Sequence, residues 1–510
     1  MGITRLRVNT HFNLQQDLPF IVPLLLLSWW LAFSFQDPFI IDWDGYDYTV
    51  DTVRGLPSVL GLGRALFIGY NHLLWQLLNE AGLLVPENAH LLLKFGSILL
   101  SGPATAGIYA LTKELTFNRW SSLWAGLIFG LSPYYITYSG RPMSEIPGFF
   151  LLTWSLWLLL RTLRSGKFLP FIATAALIGL SVNVREIGLF YIPFIYLAAR
   201  EEGWKPRIPL LAMLVALLMS LSGFAFWTLQ RGYLYLNQVM AWYRLSSVER
   251  EFHPVTIKNI EFVGEYAYNC SVVVVFLTPL AITLLLPQRR YRALLWLGLL
   301  GLLADIVLLI NHDLSVNPRY LLLGMVGLAP ICGWTIVELY RCFRWRAVTL
   351  VASIWLLSFT NFVERSIDIY WQEHHSRAAA EYLIMIKNFP WNSGFIVGAR
   401  SPLVNFYAGI EARPFWKTIS PGAGWPDDKL EEMIDDMLIA GRPIFVDFDP
   451  EIWQHGARGH SREAAGLNHI SELFELEPIT KTMFRIKSRR STTNSKEKNK
   501  LCSDTNLSAF

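Results

Sequence analysis

The chain returns repeatedly to apolar runs close to the length needed to cross a bilayer. A helix rises 1.5 Å per residue, so ~20 apolar residues cover the hydrocarbon. Runs of that order fall near 19–36, 90–111, 120–138, 145–163, 168–184, 187–200, 208–229, 270–287, 293–311, 320–340 and 347–365. They predict about eleven spans and an all-α polytopic membrane bundle, because backbone buried in lipid must satisfy its own hydrogen bonds. The 187–200 run is short, and its boundary with the preceding span falls at Asn183-Val184-Arg185-Glu186. Composition agrees: 53% of the 510 residues are hydrophobic, and 20 Trp and 20 Tyr can furnish interfacial belts. A net charge of +4 is too small to imply a nucleic-acid partner. The four cysteines, Cys270, Cys332, Cys342 and Cys502, show neither metal spacing nor a disulfide framework.

Orientation follows from Lys and Arg in the short connections. Alternate connections carry Lys113 and Arg119, then Arg161, Arg164 and Lys167, then Arg200, Lys205 and Arg207, then Arg289, Arg290 and Arg292, then Arg341, Arg344 and Arg346. With Arg5 and Arg7 ahead of the first span, all fall on one side, which is expected to be the cytoplasm. The first run lacks a small-x-small cleavage site at Ser34–Pro38 and reads as a retained helix. The opposite side receives the outer loop 37–89, the Gly140–Glu145 turn, Arg185-Glu186, loop 230–269, His312–Arg319 and everything after 366. Short apolar segments within 37–89, such as Leu73–Leu84, are expected to lie as helices in the interface.

Three domains are predicted: a transmembrane domain over 1–366, a small extracytoplasmic α/β domain over 367–487 and a disordered tail over 488–510. In the second, His374–Asn388 reads as an amphipathic helix with Ala378, Tyr382, Met385 and Ile386 on one side. Phe395–Val397 and Ile444–Val446 read as buried strands, with a helix over Asp427–Ala440 between them.

Four polar clusters converge on the extracytoplasmic ends of the predicted helices. They are Asp42, Asp44 and Asp47 (with Tyr48); Arg141 through Ser144-Glu145; Arg185-Glu186; and His312-Asp313 through Arg319-Tyr320. Charges at that depth cost a few kcal/mol each unless paired or hydrated, and are usually kept for a task. Each cluster has a bland alternative. The aspartates can be a solvated loop, Arg141 and Glu145 can pair across four residues, and Arg319 can snorkel to headgroups. Together, acids and arginines on one rim fit group transfer: a carboxylate takes a proton from a nucleophile, and guanidinium groups hold a phosphate bidentately. Outside the cytoplasm an activated sugar has to arrive attached to a lipid.

The arrangement resembles the GT-C membrane glycosyltransferases, in the branch of protein O-mannosyltransferases and aminoarabinose transferases, over roughly residues 19–450. Asp44-Gly45-Tyr46-Asp47-Tyr48 matches that branch's first-loop Asp and Tyr but has Gly at its second acidic position. Gly69-Tyr70-Asn71-His72-Leu73-Leu74-Trp75 stands where the family has a basic-Pro-Pro-Leu-Tyr-like segment, and the Lys of the aminoarabinose branch is missing. Ser144-Glu145 opening a long apolar helix that ends at Arg161, then Arg185, and then Arg319-Tyr320-Leu321 match the later motifs. The resemblance implies a GT-C-like bundle and a polyprenyl-phosphate sugar donor. It implies a glycan, lipid or protein acceptor and no nucleotide or metal cofactor. Asp42-Trp43-Asp44 can also be read as a D-x-D metal motif, a weak match since hard cations want six or more oxygens.

The expected catalytic residues are Asp44, Asp42 and Glu145. The expected substrate-binding residues are Asp47, Tyr48, His72, Arg141, Arg185, Glu186, Arg319 and Tyr320. The setting is a cell membrane, taken as a bacterial inner membrane, with the N-terminus cytoplasmic. A transporter or flippase of a lipid-linked saccharide is the rival reading. Transporters place polar residues near the midplane on broken helices, whereas here they gather at one rim. A catalytically inactive scaffold is a third possibility.

Overall fold

The structure, a computed structural model, describes residues 12–40, 43–56, 64–233, 235–237, 239–240, 264, 266, 270–311, 318–346, 350, 364, 377, 379–397, 403–413, 427–447, 467–480 and 482–490. These residues form two compact units, a helical one up to residue 364 and a second from residue 377 onward.

The helical unit opens with α1 (Leu14–Ser34), started by the Asn13 side chain accepting from the Gln15 N–H. The expected outer loop is instead largely helical, with α2 (Trp43–Arg54) and α3 (Ala65–Glu80). Next come α4 (Ala89–Thr116), α5 (Arg119–Gly130), α6 (Pro133–Ser139), α7 (Glu145–Ser165), α8 (Phe168–Val182) and α9 (Gly188–Glu201). Then follow α10 (Arg207–Ser220), α11 (Ser222–Arg231), α12 (Val272–Leu285), α13 (Arg292–Asn311) and α14 (Met325–Phe343).

Helices lie where ten of the runs were expected; the eleventh, 347–365, falls almost wholly outside the described residues. Three runs are not single helices, and of these the 208–229 run is divided at Leu221 between α10 and α11. The 120–138 run breaks at Ser132, because Pro133 opens α6 at the one helical position where its missing N–H costs nothing. The 320–340 run begins as a 3-10 turn, Pro318–Leu323, and α14 starts only after Gly324. Among the described residues four stretches are long and apolar enough to cross a membrane: Gln15–Ser34, Pro86–Thr116, Glu145–Ser165 and Arg207–Arg231. Phe168–Val182 and Val272–Leu285 are shorter apolar helices.

Helix α4 packs against α1, α5 and α7. Small residues permit this: a Cβ on Gly107 would come within 2.2 Å of Thr153 Oγ1, and one on Gly102 within 2.9 Å of the Trp29 indole nitrogen. At one end of the bundle, Arg164 bonds Glu114 and Glu202, Arg290 lies over Phe117, and Trp204 donates to the Leu163 carbonyl. Four of the connections expected to be cytoplasmic are thus joined.

The second unit contains a five-stranded mixed sheet in the order β2-β1-β3-β5-β4, built from β1 (Gly394–Ile396), β2 (Glu411–Arg413), β3 (Ile444–Asp447), β4 (Phe474–Pro478) and β5 (Met483–Arg489). β1 runs parallel to β2 and β3, while β5 is antiparallel to β3 and β4. Helix α15 (Asp427–Ile439) supplies Ile434 and Met437 to a core shared with Ile396, Ile444, Val446, Phe474 and Ile486. Two expectations are corrected here. The tail does not begin at 488, since Ser488 and Arg489 pair with Glu475 and Phe474. In the helix ahead of β1 the buried stripe is Ala379, Tyr382 and Ile386, and Met385 is exposed. Asp447, which ends β3, is buried.

Candidate active site

The aspartates expected in a loop sit on a helix. Asp44 lies in the first turn of α2, and Asp47 and Asp51 follow three and seven residues later, a spacing that puts all three on one face. Asp44 and Asp47 are half-buried and Asp51 is buried. The start of α2 is seated on the turn between α6 and α7: a Cβ on Gly45 would lie 3.1 Å from Pro142 Cγ. The Tyr46 hydroxyl fixes the entry by donating to the Ile40 carbonyl at 2.7 Å.

Arg141 and Glu145 each meet a partner distant in sequence. Arg141 pairs through Nε with Asp37 Oδ2 at 3.0 Å, and its guanidinium covers the Tyr138 ring. Lys94 donates to the backbone carbonyl of the same Asp37. Glu145, at the start of α7, meets Arg185 Nη2 at 2.9 Å, and both side chains are buried. Arg185 also donates to Ser144 Oγ at 3.2 Å and lies 5.3 Å over the Tyr320 ring. The base of its side chain is pressed against Gly148, where a Cβ would come within 2.7 Å of Arg185 Cβ. Arg185 thereby ties the 3-10 turn of Tyr320 to the head of α7.

Glu186 stands 3.4 Å from Arg64 Nη2 and 4.0 Å from Arg185 Nε. Burial works against its ionisation, but Arg64 and then Arg185 outweigh it and hold the carboxyl below its ordinary range. The opposite holds for Asp51, whose carboxyl is raised well above its ordinary range by burial and then by Asp47, against the smaller pull of Arg54 and Arg231. Asn183 knits the base of this region. Its carbonyl accepts from the Leu66 N–H, its Oδ1 from the Gly223 N–H at 3.0 Å, and its Nδ2 donates to the Met219 carbonyl at 2.8 Å.

The structure therefore brings Asp44, Asp47, Tyr48, Arg141, Glu145, Arg185, Glu186 and Tyr320 to one end of the bundle. His72 is nearby in a different role. Its Nδ1 donates to the Thr52 carbonyl at 2.6 Å, its ring packs on Gly55 and stacks on Trp75, and it latches α3 to the end of α2. Asp42, His312, Asp313 and Asn317 lie outside the described residues, and of Arg319 only the backbone, in the 3-10 turn, is described. Among the described residues no group of three or more His, Cys, Asp or Glu is spaced to hold a metal ion.

Sequence reasoning missed Asp37, Asp51, Arg64 and Lys94. Lys94 carried a signal, being a cation within an apolar run. Asp51 would have followed from the seven-residue spacing had α2 been recognised as a helix. Arg64 had none, as it follows a Gly-rich stretch that reads as a plain loop.

The arrangement can be set against known proteins. A family model described as dolichyl-phosphate-mannose-protein mannosyltransferase matches residues 76–227. No curated protein matches the sequence. Among solved structures, ArnT from Cupriavidus metallidurans bound to undecaprenyl phosphate superposes with a TM-score of 0.59 at 11% identity, covering 93% of this chain and 98% of that one. The oligosaccharyltransferase AglB from Archaeoglobus fulgidus, in complex with an inhibitory peptide and a dolichol-phosphate, gives 0.55 at 13% identity, covering 93% and 74%. The same archaeal enzyme tethered to an acceptor peptide gives 0.55 at 12% identity, covering 92% and 74%.

Proposed function

We propose that the chain is a membrane glycosyltransferase of the GT-C superfamily, a reading supported by its likeness in fold to ArnT and AglB and by the family-model match over residues 76–227, and that it moves a sugar from a polyprenyl-phosphate donor to an extracytoplasmic glycan, lipid or protein acceptor. The observation that carries this reading is the seating of α2 on the Arg141–Glu145 turn. The first turn of α2, which carries the half-buried Asp44, thereby meets the turn that bears Arg141 and Glu145, each in a buried guanidinium–carboxylate pair, and this supports Asp44 as the base. The dolichol-phosphate and undecaprenyl phosphate bound by the two superposed enzymes support the donor class.

In the proposed reaction, Asp44 takes the proton of an acceptor hydroxyl or amine. The freed lone pair forms the new bond to the anomeric carbon, and the bond from that carbon to the phosphate oxygen breaks. The electron pair leaves with the polyprenyl phosphate, whose growing charge Arg185 and Arg319 stabilise. Glu145 acts through Arg185, because its buried pair holds the guanidinium against the head of α7. Tyr320 stacks on the other side of the same group. The bundle is proposed to cross the membrane about eleven times, with the second unit extracytoplasmic.

The test is transfer from a polyprenyl-phosphate sugar by purified protein, followed by mass spectrometry. Asp44→Asn keeps the shape but cannot accept a proton. It is expected to bind donor and lose transfer by ~10²–10⁴-fold, with Asp47→Asn milder. The reaction is proposed to need no metal, so EDTA leaves it unchanged. Loss on chelation, restored by a divalent cation, would move Asp42 and Asp44 to metal ligation. Near-normal transfer by Asp42→Asn, Asp44→Asn and Asp47→Asn alike would sink the general-base role of this segment.

A further inference from the structure

Three buried arginines lie at the rim, and they are not equivalent. Arg141 and Arg185 meet carboxylates at 3.0 and 2.9 Å. Arg64 is just as buried, at 4% exposed, yet its contact with Glu186 is long at 3.4 Å, and that carboxylate is shared with Arg185. Its Nε and Nη1 have no hydrogen-bond partner among the described residues. A buried guanidinium with two open donors is uncommon, because the loss of hydration has to be met by an acceptor.

The surroundings repeat the pattern. The Arg64 guanidinium lies 5.0 Å over the Tyr48 ring, and Tyr48 meets Phe67 edge-on at 5.4 Å across the α2–α3 gap. On α2, the Tyr48 hydroxyl and Thr52 Oγ1, one turn apart, are buried and unpaired; on α3, so is Asn71 Oδ1, one turn beyond Phe67. Arg64 is also the residue preceding α3, in the left-handed region at φ 42°, and in the first turn the Leu66 N–H is already taken by the Asn183 carbonyl, so the ligand has to be met by side chains. Four unpaired donor N–H and O–H groups around a guanidinium favour an oxyanion over any neutral ligand. Asp51, pushed toward its neutral form by burial and by Asp47, reduces the repulsion an anion meets there.

We infer that the gap between the first turn of α3 and the facing side of α2 is a phosphate-binding site in which Arg64 is the principal ligand, assisted by Tyr48 and Thr52. The inference rests on the donor class proposed above and names the residue that grips its phosphate. Arg141 is then a positioning residue, held by Asp37, and Arg185 keeps its place on the departing phosphate oxygen beside Arg64.

The test is titration of the full chain in detergent with undecaprenyl phosphate and, separately, with inorganic phosphate, followed by tryptophan fluorescence. Arg64→Lys keeps the charge and loses the fork; Arg64→Gln with Glu186→Gln removes both members of the pair and leaves no orphaned charge if the single variant misfolds. Both are expected to bind undecaprenyl phosphate on the order of 10–100-fold more weakly, while Arg341→Gln in the last turn of α14 binds as the parent does. Inorganic phosphate binding with the same dependence on Arg64 supports the site and assigns it to the free anion as well. Unchanged affinity in both Arg64 variants, with the parent binding normally, overturns the assignment and leaves the donor class standing. A parent that binds neither probe overturns both.

Discussion

At the scale of single residues, the informative groups are those whose surroundings favour one protonation state. Asp51 is held toward its neutral form by burial and by Asp47. Its folded value lies above its unfolded one, so it carries no penalty at pH below the unfolded value of about 4. The penalty grows as pH rises from there to the folded value. Asp51→Asn is therefore expected to melt higher than the parent near neutrality, with a gap that closes as pH falls toward ~4. Thermal unfolding in detergent across that range measures it, and a variant that melts lower near neutrality, with the deficit closing toward pH ~4, would show that the carboxylate is needed as an ion. Glu186 works in the opposite sense. Arg64 and Arg185 depress its carboxyl, so its contribution is present above the unfolded value and fades as pH falls through the folded one.

At the scale of elements, close helix approach depends on a few glycines. Helices α8 and α10 touch at Gly179, where a Cβ would come within 2.2 Å of the Ala216 carbonyl oxygen. Backbone cannot yield there as a side chain can, so Gly179→Ala should cost ~1–3 kcal/mol and lower the melting temperature by several degrees. Gly69→Ala is the matched comparison. Nothing lies within 4 Å of its Cβ position, and alanine is the better helix former by ~1 kcal/mol, so that variant is expected to be neutral or more stable. Equal melting temperatures for the two would mean α8 and α10 can separate at no cost. The positions of the long helices were readable because each carries a continuous apolar run. Helix α2 was not, since WDGYDYTVDTVR is polar enough to pass for a loop and is held by its seat on Pro142 and by the His72 latch.

At the scale of the whole molecule, the alternation of Lys and Arg predicts which end of the bundle faces the cytoplasm. Cysteines introduced as Trp120→Cys and Arg290→Cys are expected to resist an impermeant thiol reagent in intact cells, while Leu430→Cys labels. Protection at 430 would reverse the orientation. The two polar ends are chemically distinct: Arg164 with Glu114 and Glu202 at one, and the aspartate face of α2 with Arg64, Arg141 and Arg185 at the other.

The sequence by itself determined the class of molecule and the set of charges at each end. Apolar length and the placement of Lys and Arg are one-dimensional properties, and the bilayer reads them directly. Only the tertiary structure decided the partners. Arg141 met Asp37, just beyond the end of α1, and Glu145 met Arg185 forty positions away. Which carboxylate a buried guanidinium meets depends on how α4, α7 and the turn after α8 pack. Desolvation makes each such choice costly to leave unmet. The same packing left Arg64, which no motif marks, with open donors at the rim.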